Sequence, residues 1–169
     1  MEGAYSYVEA RAKKKVTVKD NLLKVGLIGG TAIFIALGLL TGQLIFTGVG
    51  MAFLALSYYF IPRIAVEYEY VYCDGQIDFD KINGGVKRKT LLKVDFDQVV
   101  VVAPKSSHAL DGYKHSGVTV NDYSSMKPDA NIYAMVVKNG EKATVIYFEP
   151  SEKMLSIMKN KSARKIVEY

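Results

Sequence analysis

The sequence predicts a membrane α-helical hairpin followed by a β-rich α+β domain. Three observations predict it. No Asp, Glu, Lys or Arg occurs from Val25 to Pro62, a charge-free run of 38 residues. After that run, apolar and polar residues alternate in short segments separated by Asp-Gly and Asn-Gly pairs. An amphipathic segment beyond Pro150 then reads as one closing helix.

The apolar run is too long to cross a bilayer once. A hydrocarbon core of roughly 30 Å needs about 20 helical residues at a rise of about 1.5 Å each. Two helices joined by a tight turn fit, over Leu22 to Leu40 and Leu44 to Ile61. The turn falls at Thr41-Gly42-Gln43, the most polar and flexible point near the middle. A secretory signal shares the basic start. Here a second apolar segment follows at once, with no small-x-small cleavage site between. A buried helix pair in a soluble protein would carry polar positions at helical spacing. This run has only Thr31, Thr41, Gln43, Thr47 and Ser57.

Charge gives the expected orientation. Residues 1–24 carry Arg11, Lys13, Lys14, Lys15, Lys19 and Lys24 against Glu2, Glu9 and Asp20. Arg63 follows the second helix, and the turn is uncharged. Basic flanks stay in the cytoplasm, so both termini are expected inside and the turn outside. Tyr58, Tyr59 and Phe60 suit the headgroup level. The implied division is a basic cytoplasmic segment 1–21, a transmembrane hairpin 22–62 and a cytoplasmic β-domain 63–169, expected to fold when detached. The segment before the hairpin reads either as a short helix on the inner leaflet or as a disordered tail. The β-domain is nearly neutral, which argues against a nucleic-acid partner. Cys73, the only cysteine, excludes an intramolecular disulfide and agrees with a reducing compartment.

Small residues recur at four-residue spacing in the first helix: Gly26, Gly30, Gly38 and Gly42. The second helix offers Gly48 and Ala52. Such spacing lets backbones approach closely in lipid. It serves either packing within the hairpin or association with another membrane protein or a second copy.

From Val66 the period changes to two. Val66, Tyr68, Tyr70 and Tyr72 share one face, with Glu67 and Glu69 opposite. Strands are expected over Val66–Cys73, Gln76–Ile82 and Val86–Leu92, turning at Asp74-Gly75 and Asn83-Gly84-Gly85. Such pairs tolerate the positive φ of tight hairpins. Phe96–Val102 reads as a further strand, buried on both faces and ended by Pro104. Asn131–Val137 and Ala143–Phe148 form another hairpin about Asn139-Gly140. Residues 105–130 read as a long polar loop, with Val118–Val120 as a short strand. A loop of that length either functions or holds further structure. Ser151 or Glu149 caps the last helix, whose apolar face is Met154, Leu155 and Met158, with Lys159, Lys161, Arg164 and Lys165 at the dipole's negative end.

Strands closed by one helix is the order of a pleckstrin-homology-like (PH-like) antiparallel barrel or sheet. The stretch Glu69–Ile77, then Gly85 and Lys87-Arg88-Lys89, then Val94–Val99, resembles the opening of bacterial PH-like domains, which commonly follow a pair of membrane helices. The whole chain, from Tyr5 to the Phe148–Leu155 segment, is similar to an uncharacterised family of small two-span bacterial membrane proteins. The resemblance implies a fold and a membrane location, and it carries over no catalytic residue.

No catalytic constellation stands out. His108, His115, Asp111 and Asp122 match no tight ligand spacing and read as solvated loop residues. Cys73 lacks a nearby base and reads as a half-buried structural residue. The pairs Asp78/Asp80 and Asp95/Asp97 read as solvent faces of strands. No cofactor, metal or small-molecule substrate is expected. The feature with functional colour is basic: Lys81, Lys87, Arg88, Lys89 and Lys93, of which Lys87, Lys89 and Lys93 would share a strand face. That face binds anionic lipid headgroups if it meets the membrane, at about 1 kcal/mol per residue. Otherwise it is a solvated edge kept basic against strand addition. The expected function is a non-enzymatic, membrane-anchored interaction module for a protein partner or anionic lipid. The alternative is an accessory subunit assembling through the glycine-rich helices.

Overall fold

The structure, a computed structural model, describes residues 7–113, 117–140 and 142–167. In chain order it runs β1 (Tyr7–Lys13), α1 (Val18–Thr41), α2 (Leu44–Ile64), β2 (Val66–Cys73), β3 (Gln76–Asn83), β4 (Lys87–Asp95), β5 (Val99–Pro104), β6 (Thr119–Asp122), β7 (Tyr133–Asn139), β8 (Lys142–Phe148) and α3 (Glu152–Lys161). Short 3-10 turns span Phe96–Gln98, His108–Tyr113 and Ala163–Lys165. Two compact units result: a helical one of residues 15–66 and 83–86, and a β-rich one holding the rest.

In the helical unit, α1 and α2 form an antiparallel pair, each long and apolar enough to cross a membrane. The turn lies where the sequence placed it. Gly42 adopts φ +68°, and its N–H returns to the Gly38 carbonyl at 3.0 Å. That left-handed cap suits glycine, which has no Cβ to clash. Both helices overrun their expected ends. At the start of α1 the Asp20 carboxylate accepts from the Thr17 N–H at 2.9 Å, favouring a start before the first apolar residue. At the end of α2, Pro62 lies in the last turn, where it has no N–H to give to the carbonyl four residues back, and the helix stops two residues later.

The β-rich unit holds two four-stranded sheets, ordered β1-β2-β3-β4 and β5-β7-β8-β6. The described strand residues before the helices are neither a surface helix nor a tail. Residues 7–13 form β1, paired antiparallel with β2 from Tyr7↔Cys73 to Lys13↔Glu67. Val8 and Ala12 are buried, while Glu9, Arg11 and Lys13 point the other way. The β-rich unit therefore begins before the helices, and the helix pair is spliced between two neighbouring strands of one sheet.

Tyr68, Tyr70 and Tyr72 face inward as their spacing predicts. Tyr70 meets Phe79 and Phe148 edge-on at 5.7 and 5.6 Å, and Tyr72 meets Phe96 at 5.9 Å. Edge-to-face contacts suit the ring quadrupoles. Met135, Ile146, Met154 and Met158 complete this core, the two methionines of α3 being fully buried. Ser151 caps α3, its hydroxyl accepting from the Met154 N–H at 3.2 Å.

The second sheet departs from an all-antiparallel arrangement, because β6 pairs parallel with β8. The segment expected as a long loop is built into the unit. Leu110, in the 3-10 turn, joins Ala103, Ala134, Val136 and Val145 in a second buried cluster, with Tyr113 and Val118 packed alongside. This covers the face of β7 opposite the main core and explains why Tyr133 through Val137 are all buried. Tyr123 enters the aromatic core, 5.6 Å from Tyr68 and 5.5 Å from Phe79.

Because β1 carries buried residues and one full edge of its sheet, residues 64–169 alone should fail to fold cooperatively. Residues 7–167 with 15–65 replaced by a short Gly-Ser turn should fold and remain soluble. Circular dichroism melts of the two proteins check this; a cooperative melt from 64–169 alone is the contrary outcome.

Candidate functional site

The outer face of the first sheet carries a row of charges. Glu69 of β2 is fully buried. Arg11, its cross-strand neighbour on β1, approaches Oε1 at 2.6 Å. The Arg88 guanidinium on β4 bonds Glu69 Oε2 and also lies 3.7 Å from Asp80 of β3. Lys13 pairs with Glu67 at 3.2 Å, and Lys93 with Asp78 at 2.9 Å. Buried carboxylates are tolerated only when paired. The half-exposed guanidiniums supply that pairing and keep their own hydration.

These contacts reorder the expected basic cluster. Arg88 and Lys93 both reach carboxylates of the Glu69–Asp80 face, although residues five apart point oppositely on a regular strand. The five basic residues thus do not form one row. Arg88 and Lys93 are engaged in ion pairs, and the Asp78 hydrogen bond, followed by its charge, raises the Lys93 pKa. Lys87 and Lys89 are exposed and Lys81 half-buried, and none of the three makes an ion pair among the described residues. Asp78 and Asp80 are not a solvent face: Asp80 is buried and Asp78 half-buried. Asp95 instead accepts from the Asp97 N–H at 2.9 Å and caps a 3-10 turn.

The small residues of the helices divide into two sets. A Cβ on Gly38 would lie 2.2 Å from Thr47 Oγ1, one on Gly30 2.7 Å from the Phe53 ring, and one on Gly50 2.7 Å from the Ile35 side chain. These three let α1 and α2 approach, with Phe34 and Phe53 stacked at 5.5 Å. A Cβ on Gly26, Gly42 or Gly48 would meet nothing within 4 Å. Ala52 is exposed on α2. Gly30 and Gly38 therefore serve the pair itself, while Gly26, Gly48 and Ala52 do not, and Gly42 serves the turn.

The remaining candidates hold little chemistry. His108 Nδ1 lies 3.1 Å from Asp111, both on the surface, and His115 falls outside the described residues. Cys73 is exposed rather than half-buried, because it ends β2 on the side away from Tyr72. A shallow cleft of about 230 Å³ is bounded by Asp74, Asp95, Asp97 and Lys161, and a more open one of about 360 Å³ by Lys105 and Lys127. The Tyr70 hydroxyl donates to the Tyr123 carbonyl. Burial first, then the Glu149 charge, pushes its ionisation well above the ordinary tyrosine range.

The family model described as Bacterial PH-like domain (DUF6106) matches residues 5–168, from the start of the chain through both apolar helices to its end. The chain belongs to the bacterial PH-like domain family. Neither a curated protein nor a solved structure matches it. In this PH-like protein the matched region includes β1, the strand that the sequence alone did not reveal. The alternation of Val8, Ala10 and Ala12 with Glu9, Arg11 and Lys13 was the available signal.

Arg88→Ala should destabilise the protein by about 2–3 kcal/mol, because two buried carboxylates lose a partner. Arg11→Ala should cost less, since Glu69 keeps Arg88. Urea titrations of the two variants against the parent check the order. In the helical unit, Gly38→Ala should lower the melting temperature in detergent, because Thr47 must move. Gly26→Ala should leave it unchanged or raise it, as alanine favours the helix by up to about 1 kcal/mol.

Proposed function

We propose that this chain is a membrane-anchored, non-enzymatic interaction module whose PH-like domain engages a protein partner or anionic lipid on the cytoplasmic side. The observation that carries the reading is the splice. Lys13 and Glu67 are strand partners, so the two ends of the apolar helix pair issue from neighbouring positions of one sheet. A pair that spans the bilayer must then return to the side it left. The basic residues Lys14, Lys15, Lys19 and Lys24 at the first end and Arg63 at the second favour the cytoplasm for that side. Tyr58 and Tyr59, exposed near the end of α2, suit the headgroup level. The buried carboxylates Glu69 and Asp80 are committed to arginines, which supports a structural use over acid–base chemistry.

A second reading rests on the open positions of the helices. Gly26 and Gly48 face no neighbour within the pair, which supports an accessory subunit that assembles through them. The two readings separate in one experiment. The full chain should resist carbonate extraction from bacterial membranes and crosslink to a set of proteins there. The module reading expects the same proteins on a domain with residues 15–65 replaced by a short turn. Loss of every one of them, with that domain still folded, overturns it in favour of the helix-borne reading.

A further inference from the structure

The β3–β4 hairpin turn belongs to the helical unit rather than to the sheet it connects. Gly84 and Gly85 adopt φ +60° and +73°, the left-handed geometry of a tight hairpin. The Gly84 N–H donates to the Ala65 carbonyl at 2.8 Å, just past the end of α2. Its Cα packs so closely on Pro62 that a Cβ would sit 3.0 Å from both the proline ring and its carbonyl oxygen. The turn is thus fastened to the last residues of an apolar helix. Two residues before Pro62, the aromatic run Tyr58-Tyr59-Phe60 is exposed, and the Arg63 guanidinium lies 3.4 Å over the Tyr59 ring. Amphipathic rings and a snorkelling cation are the groups that settle at a headgroup boundary. Two to three helical residues amount to about 3–5 Å of rise, so the turn is held near that depth.

What the turn presents there is apolar. Val86 is 90% exposed, the most exposed large hydrophobic residue described. Lone exposed valines are ordinary on soluble surfaces. This one is fixed beside a helix end, and Lys87 and Lys89, neither in an ion pair among the described residues, follow it in the chain. An apolar tip with adjoining cations is the chemistry of shallow insertion into an anionic leaflet.

We propose that the Asn83–Val86 turn contacts lipid, Val86 entering the headgroup–acyl boundary while Lys87 and Lys89 bind anionic headgroups. This rests on the membrane-anchor reading and names the lipid class and the residues. The chain contains no tryptophan, so Val86→Trp makes a single fluorescent reporter at an already exposed position. The full-length variant is reconstituted in vesicles of equal parts phosphatidylglycerol and phosphatidylcholine, and in phosphatidylcholine alone. Blue-shifted emission and quenching by lipids brominated near the headgroup are expected. Quenching should be stronger with phosphatidylglycerol, and Lys87→Gln with Lys89→Gln should remove the difference. Leu54→Trp, within α2, is the reference for the anchor. Water-like, unquenched emission from Val86→Trp while Leu54→Trp is quenched overturns the turn contact and leaves the anchor standing. Equal quenching in both vesicles overturns the role of the lysines. An unquenched Leu54→Trp overturns the anchor and the proposal with it.

Discussion

The pairing of Tyr7–Lys13 with Val66–Cys73 is the constraint on which the rest depends. It joins the segments on either side of about fifty apolar and linking residues. Closing a loop that long costs conformational entropy, although only logarithmically in its length. The antiparallel helix pair lessens that cost, because its packing itself brings its two ends together. The same strand pairing keeps Lys13 and Glu67, the residues that lead into and out of the helix pair, side by side in one sheet.

The register of that pairing is enforced by charge. Glu69 is buried on the outer face of the sheet and needs a cation opposite it. Arg11 stands there, with Ala10 and Ala12 on either side. A slip of one residue would place an alanine against Glu69 and turn Val8 and Ala12 out of the core. Arg88 reaches the same carboxylate from β4, two strands away, and Asp80 as well. One guanidinium from each end of the four-strand order thereby converges on a single carboxylate. Removing one partner of a buried ion pair is costly even where the pair adds little net stability, so the network penalises arrangements that part Glu69 from its arginines.

Much of this fold was legible because local chemistry dictates it. The charge-free run, the left-handed Gly42 turn, the Asp-Gly and Asn-Gly hairpins, the inward tyrosines of β2 and the Ser151 cap each depend on a few neighbouring residues. What was not legible depends on partners distant in sequence. β1 reads from sequence either as a short inner-leaflet helix or as a topogenic tail, because Arg11 and Lys13 carry the same charge whether they face lipid or Glu67 and Glu69. The parallel pairing of β6 with β8, and the burial of Leu110 and Tyr123, arise from long-range packing that polar composition conceals. The basic cluster was visible as composition. That Arg88 and Lys93 are spent on carboxylates, and Lys87 and Lys89 are not, follows only from cross-strand geometry.

The splice also dictates an order of events during synthesis. β1 leaves the ribosome before both apolar helices, and its partner emerges only after them. Throughout that interval a strand with an apolar face of Val8, Ala10 and Ala12 waits with its hydrogen-bonding edge open. Open edges invite wrong partners. Glu9, Arg11, Lys13 and the lysines that follow keep the waiting strand hydrated. The small size of its alanines makes it a poor seed for aggregation. A strand made before the helix pair is thus completed only after it, and its alternating charges suit the wait.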